Sequence, residues 1–374
     1  MKPSGCRACL ILILAGYPAP APTGGGQAPP RAPAPVPVGV TFHWDTLQRK
    51  GYRGDNWCMT WAADDHLYTM MDDGSGFHAP KPEWGTRLWR IRGDENFTAA
   101  QAEPVPGWPF TDLSSPFYGY GTCSVRGRIY VWLWKSESDK GYQRPVANRL
   151  LYTDDFGETF FRWDGTKVTD ANFSDTRRES FFFYKEDPRP KAGREAYAFN
   201  WIAFCQKGKD NSADPDGYVY MYAVEQYDVT RLSLIRVPED RITDRSAYEY
   251  LQEVAGEKAV WTRDPSQRGP SLVYPPRNEN GDEWLWCSWF PDVVYNPGLG
   301  RYVMVSYGIS DGKKGFFSGW CNNGKSSATV GLWHARHPWG PWTRFYYQAE
   351  WKPRATRRRS GDSPVPPAAP TSSS

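Results

Sequence analysis

The chain lacks a strong charge of either sign. Its 374 residues carry a formal net charge of +3, and much of that excess sits at Arg354 and in the run Arg357-Arg358-Arg359. A body this close to neutral, with no basic stripe interleaved with aromatics, argues against a nucleic-acid partner. Long hydrophobic runs are missing too. The stretch Ala8-Cys9-Leu10-Ile11-Leu12-Ile13-Leu14-Ala15 is too short to span a bilayer, so no membrane span is expected. Beyond Cys6 and Cys9 in that N-terminal region, the cysteines are Cys58, Cys123, Cys205, Cys287 and Cys321. None of these forms a C-x-x-C pair, so no zinc site is indicated. Sustained helical periodicity is also absent. Only Ser246–Val254 reads as a short surface helix.

What is present points to strands. Aromatics make up 16% of the chain, Trp alone numbers 19, and 35 Gly and 33 Pro punctuate the sequence. Aromatic runs broken by Gly/Pro turns specify an all-β fold. A strand–turn–strand–strand unit then recurs. The first copy pairs Asn56–Trp61 with Leu67–Met71 and continues as Arg87–Ile91. The second pairs Gly121–Val125 with Ile129–Trp134, then Leu150–Thr153. The third pairs Trp201–Cys205 with Tyr218–Val224, then Arg231–Val237. The fourth pairs Asp292–Tyr295 with Tyr302–Tyr307, then Ala328–Ala335. Such spacing suggests the blades of a β-propeller. Cys58, Cys123 and Cys205 fall at similar places on the first strands of three blades and read as small buried apolar residues. Cys287 and Cys321 could be bridged in an exported protein.

The flanks read differently. Lys2 and Arg7 precede the short apolar run, which fits a signal-peptide core over residues 1–16, with a buried strand as the alternative. A Pro/Ala/Gly-rich linker follows over 17–40, then the propeller over 41–351. The expected location is secreted or periplasmic. Residues 352–374 have almost no strand-forming content and are expected to be disordered. They read like a shifted frame, with a native disordered tail as the alternative.

Two motifs stand out. Thr153-Asp154-Asp155-Phe156-Gly157-Glu158-Thr159-Phe160 fits the Asp-box pattern S/T-x-D-x-G-x-T-W/F. It describes a turn in which the carboxylate accepts backbone N–H groups and Gly takes a positive φ. Asp155 is therefore a scaffold residue. His334-Ala335-Arg336-His337-Pro338-Trp339-Gly340-Pro341-Trp342 is similar to a strand end of five-bladed carbohydrate-active propellers, where the Trp plugs the gap between blades. Its two histidines have no carboxylate at ligand spacing, so a metal reading is not favoured.

Further stretches carry a resemblance. Gly54-Asp55-Asn56-Trp57, Ala63–Tyr68, Asp72-Asp73-Gly74, Arg231–Ile242, Asp244–Tyr250 and Val293–Tyr302 resemble domain-of-unknown-function family 4185. That family comprises mostly secreted, sugar-associated five-bladed propellers, some of which are endo-D-arabinanases. The resemblance implies a β-propeller of the five-bladed type, four of whose blades are recognisable. The last is missing or incomplete, because no strand pattern follows Trp351 where the family adds a further blade.

Strand direction places the chemistry. Each inner strand starts at the channel mouth, and the second strand climbs back to it, so residues at these ends meet. The candidate catalytic carboxylates are Asp55, Asp73, Glu225 and Asp292, with turn formation as the alternative role for Asp55 and Asp73. Asp72 reaches the same place. Candidate substrate-binding residues are Arg53, Trp57, Tyr118, Tyr120, Asn200, Trp201 and Trp289. Asp64 and Asp65 fall in the opposite turn. This points to a glycoside hydrolase acting on a polysaccharide or oligosaccharide as a monomer, with no cofactor. The alternatives are a non-catalytic carbohydrate-binding propeller and a polysaccharide lyase, for which Tyr118, Tyr120, Arg53 and His78 are the candidates. The oxygen-rich run Asp210–Gly217 invites a calcium ion but lacks EF-hand spacing, and a solvated hairpin loop is favoured.

Overall fold

A computed structural model describes residues 35–348, except 49, 51, 79–81, 94–95, 112, 116, 137–144, 185–198, 214–215, 226–229, 278–289 and 311–326. Strands make up the regular structure of the described part almost entirely, and its one α-helix is the single turn Asp170–Phe173. No helix there is long and apolar enough to cross a membrane.

The strands group into four blades. The first holds β1 (Arg53–Asp55), β2 (Met59–Trp61), β3 (Leu67–Gly76), β4 (Trp84–Ile91) and β5 (Ala102–Pro104). The second holds β6 (Phe117–Val125), β7 (Arg128–Ser136), β8 (Pro145–Thr153), β9 (Phe161–Arg162) and β10 (Phe183–Tyr184). The third holds β11 (Asn200–Gln206), β12 (Tyr218–Val224), β13 (Arg231–Pro238), β14 (Glu249–Ala255), β15 (Lys258–Thr262) and β16 (Pro270–Val273). The fourth holds β17 (Phe290–Asn296), β18 (Arg301–Ser310), β19 (Ser327–Ala335) and β20 (Thr343–Gln348).

Within each blade neighbouring strands run antiparallel, whereas the inner strands β11 and β17 pair parallel, with Cys205 opposite Val293. Inner strands that all descend from one face are what make this a propeller. Lateral bonds tie those strands together. The Ser124 N–H donates to Thr60 Oγ1 at 3.0 Å, and Gln206 Nε2 donates to the Thr122 carbonyl at 2.8 Å. Gly121, at φ +95°, lets β6 approach β11 so closely that a Cβ would lie 2.2 Å from the Ile202 carbonyl oxygen.

The core fills the interfaces between blades. Met70, Leu88, Leu133 and Leu151 pack between blades one and two. Trp132, Ile202, Phe204 and Ile235 pack between two and three, and Tyr220, Tyr222, Met304 and Trp333 between three and four. The Asp155 turn is held as its pattern requires: Thr159 N–H donates to its carboxylate at 2.9 Å, Gly157 takes φ +98°, and Phe160 is buried against Trp108. The 337–342 motif clips the fourth blade to the third. Trp342 Nε1 donates to Ser271 Oγ at 3.0 Å, and the Tyr222 hydroxyl donates to the Pro338 carbonyl at 2.6 Å. His337 stacks flat on Trp339.

No strand pairing joins blade four to blade one among the described residues. Residues 35–50 run across instead. The Pro35 carbonyl accepts from Arg301 Nε, and Phe42 packs edge-on against Tyr346 of blade four. Gln48 donates to Asn96 and Lys50 to the Phe97 carbonyl of blade one. Among its described residues the segment contains one 3-10 turn, Trp44–Thr46, and no strand.

One expectation is corrected. Ser246–Val254 is not a helix: Glu249–Ala255 is β14, hairpinned to β15 through Gly256 at φ +63°. Tyr250 and Leu251 are buried against β13 and β15, and this cross-strand packing outweighs local propensity. Cys123 and Cys205 are buried, as expected, and Cys58 is partly buried. Cys287, Cys321 and 352–374 lie outside the described residues.

Candidate active site

The first blade supplies a carboxylate pair. Asp55 ends β1 directly opposite Asp72 on β3. Residues opposite each other across an antiparallel ladder project from the same face. The register shifts between Arg53 and Asp55, and this bulge aims Asp55. The tight Gly54–Trp57 turn makes the approach possible. Gly54 sits at φ +132°, where a Cβ would collide with Met71 Sδ at 2.5 Å, and Asn56 is held left-handed at φ +54°. Trp57 Nε1 closes the turn on the Gly54 carbonyl at 3.1 Å.

Asp72 is sealed from solvent. Its two oxygens accept the Gly119 N–H of blade two at 2.9 and 3.0 Å, and Asn56 Nδ2 donates at 2.9 Å. Burial pushes its carboxyl well above the usual range, and the Asp55 charge adds to this; the bonds from Asn56 and Gly119 offset it only in part. Asp73, one residue on, is exposed and left-handed at φ +52°. Of the two adjacent aspartates, the structure pairs Asp72, not Asp73, with Asp55.

Asp292 lies on the inner strand of blade four, opposite Val305. Its neighbour Val293 is buried toward blade three, so Asp292 projects from the other face. Asp292 is exposed to solvent. Desolvation raises its pKa, with a bond from the Val293 N–H opposing this. A carboxylate whose pKa is perturbed is a candidate functional group.

Glu225 is positioned differently. Arg268 grips it in a fork, Nε to Oε1 at 2.7 Å and Nη2 to Oε2 at 2.8 Å, and Ser233 Oγ donates as well. Arg268 is only 4% exposed and lies over the Phe199 ring. Glu225 is thus the anion of a largely buried ion pair that binds the end of β12 to the loop before β16. Nothing in the sequence points to Arg268, because its partner is 43 residues away with no motif joining them.

The aromatic candidates separate in the same way. Trp201, left-handed at φ +53°, stacks on Trp134 at 4.7 Å and meets the edge of Tyr120 at 5.2 Å. Trp201, Trp134 and Tyr120 are all buried, so their faces are spent on one another. Tyr118 and Trp57 keep partial exposure, and Arg53 is exposed. Asn200 opens β11 opposite Val224. Trp289 lies outside the described residues. His78 is engaged away from the mouth, with Nε2 2.9 Å from the Ala102 carbonyl and its ring on Trp89. Asp64 and Asp65 sit in the far turn, bonded to Tyr68 and Lys209.

The oxygen-rich loop of blade three puts its first carboxylate to another use. Asp210 accepts from Ser124 Oγ at 2.7 Å and from the Gly127 N–H, which joins blades two and three. Asp214 lies outside the described residues, and no group of three metal-ligating side chains occurs among those described.

No protein-family model and no curated protein matches this chain. Solved structures do. A glycosyl hydrolase from Bacteroides ovatus is similar at 9% identity and TM-score 0.40, over 80% of this chain and 72% of that one. An α-L-arabinofuranosidase from Podospora anserina, in complex with cellotriose, is similar at 9% and 0.38, over 83% and 71%. A xylan β-1,4-xylosidase from Bacillus halodurans is similar at 11% and 0.37, over 78% of this chain but only 42% of that one. At such scores, what the mouth does must be read from its own residues.

Proposed function

We propose that this chain is a glycan-cleaving hydrolase in which Asp55 acts as base or nucleophile and Asp292 as general acid. The observation that carries the reading is the contrast between these two carboxylates on inner strands. Two neighbouring carboxylates resist double ionisation. In the first-blade pair burial favours the protonated form of Asp72, and Asp55 is the member nearer water. On blade four, desolvation favours the protonated form of Asp292, which suits donation to a leaving group. One carboxylate and one carboxylic acid are what glycosidic hydrolysis uses.

Tyr118 and Trp57, partly exposed, are candidates for stacking on sugar. The lyase reading loses its histidine, because His78 is bonded to the backbone of the outer strand. The binding-module reading loses Trp201 and Tyr120 as platforms. Membership of family 4185, with export from the cell, remains part of this proposal and rests on the motifs. The test is sugar release from a panel of plant, algal and bacterial polysaccharides by the wild type and by Asp55→Asn and Asp292→Asn. Release that both substitutions abolish supports the roles. Release that survives both removes them.

A further inference from the structure

We infer that Arg87, on the first blade, forms a niche for an anionic substituent of a glycan, a uronate carboxylate or a sulfate ester. This rests on the glycan-active reading above and gives it a substrate class.

Arg87 lies on β4 opposite Met71, one residue from Thr86, which stands opposite Asp72. Alternation therefore turns it to the sheet face away from Asp72. That face is aromatic, with Phe77, Trp84 and Trp89. The guanidinium carbon is 3.5 Å from the Trp84 ring centroid and 5.5 Å from that of Trp89. Stacking holds the planar cation but offers it no hydrogen-bond acceptor.

The acceptors are what is missing. Arg87 Nε is closed off from solvent and has no partner among the described residues, and the same holds for Nε1 of the buried Trp89. Three other arginines drawn into the sheets are paired with carboxylates. Arg90 meets Glu103, Arg236 meets Glu249, and Arg268 meets Glu225. Among the described residues no carboxylate pairs with Arg87, and burial alone pulls its pKa down to about 10. A partly exposed guanidinium with no counter-charge beside it asks for an anionic ligand.

The ring beside it suits a sugar. Phe110, 53% exposed, stands edge-on to Trp84 at 4.8 Å and forms an apolar rim. A planar or tetrahedral oxyanion can take the free end of the guanidinium while the sugar's C–H face lies on that rim. The strand order β1-β3-β4 sets Arg87 two strands out from Asp55, about 10 Å at ordinary strand spacing. Its side chain also leaves from the opposite sheet face, so it would read a sugar unit further along the glycan, past the edge of the blade, and not the one being cleaved.

Calorimetric titration of the full chain with oligogalacturonate, a sulfated galactan oligosaccharide and a neutral arabinoxylan oligosaccharide tests this. The wild type should bind one anionic ligand about tenfold more tightly than the neutral one, the scale of a charge-assisted hydrogen bond. The better of the two anionic arms names the substituent. Arg87→Met, which keeps the stem, should erase the preference and leave neutral binding unchanged. Arg87→Lys, which keeps the charge but not the fork, should reduce the preference severalfold, and it carries the test where the Met variant does not fold. A preference that survives these substitutions, or a wild type with none, overturns the assignment to Arg87. Failure to bind any glycan, the neutral one included, overturns the hydrolase reading as well.

Discussion

Asp55 and Asp72 face each other across the β1–β3 ladder, one partly open to water and the other sealed behind it. The pair joins blade one to blade two, because the Gly119 N–H that steadies Asp72 belongs to β6. Chemistry and architecture therefore meet at one residue, and the two roles can be separated by experiment.

Asp72→Asn should change how stability depends on pH. The folded pKa of Asp72 is raised above its unfolded value, so the folded chain holds that proton more tightly. Its contribution is fully present below the unfolded carboxylate pKa, about 4, and is lost as pH rises through the folded value. Asn keeps an acceptor for Gly119 and has no charge to expose. Relative to wild type, the Tm of Asp72→Asn should therefore climb as pH rises from about 4 toward neutrality. A difference that stays flat across that range would show that Asp72 ionises normally.

Glu225 tests the ion-pair placement against a catalytic one. Removing one partner of a buried pair leaves the other charge uncompensated and costs about 3–5 kcal/mol. Glu225→Ala and Arg268→Met should both lower stability on that scale in denaturant melts. The double substitution Glu225→Ala/Arg268→Met should recover part of the loss. If Glu225→Ala instead melts like wild type and abolishes glycan release, Glu225 belongs with the catalytic groups.

Gly121→Ala probes the contact between inner strands. A methyl group at φ +95°, 2.2 Å from the Ile202 carbonyl oxygen, cannot be accommodated without a shift of the backbone. Backbone strain alone is worth about 1–3 kcal/mol, and displacement of β11 adds to it. A loss of at least about 2 kcal/mol is expected in denaturant melts. An unchanged melt would mean that blades two and three are not packed this closely.

Hairpins were legible in the sequence because their turns are chemical signals. Arg126-Gly127, for example, takes positive φ at both residues, as a two-residue hairpin turn requires. Which aspartate would be paired was not legible. β3 is buried on both faces along nearly its whole length, so no polar alternation distinguishes the side of Asp72 from that of Asp73. β14 was hidden for a related reason. Its apolar residues Tyr250, Leu251 and Val254 also fit a helical spacing, and only pairing with β13 and β15 decides between them. The cage around Glu225 and the bare flank of Arg87 depend on contacts between distant segments, which no local pattern records.

Asp55→Asn should lower glycan release by about two to four orders of magnitude, the usual share of a base in proton transfer. Its Tm should hold, because Trp57, not the Asp55 carboxylate, closes the Gly54 carbonyl turn. Asp73→Asn should leave release within a factor of about two, as surface substitutions generally do. Both are read by reducing-sugar assay beside a thermal melt. A collapse of Tm in Asp55→Asn would return that residue to a turn-forming role.

The most direct test is to digest a cleavable glycan in water enriched in heavy oxygen and weigh the products. Hydrolysis through Asp55 and Asp292 predicts saturated oligosaccharides with one solvent oxygen taken up per bond cleaved, at the new reducing end, and far less product from Asp55→Asn. Unsaturated, ultraviolet-absorbing products without solvent oxygen, or tight glycan binding with no product from any substrate, would contradict the account.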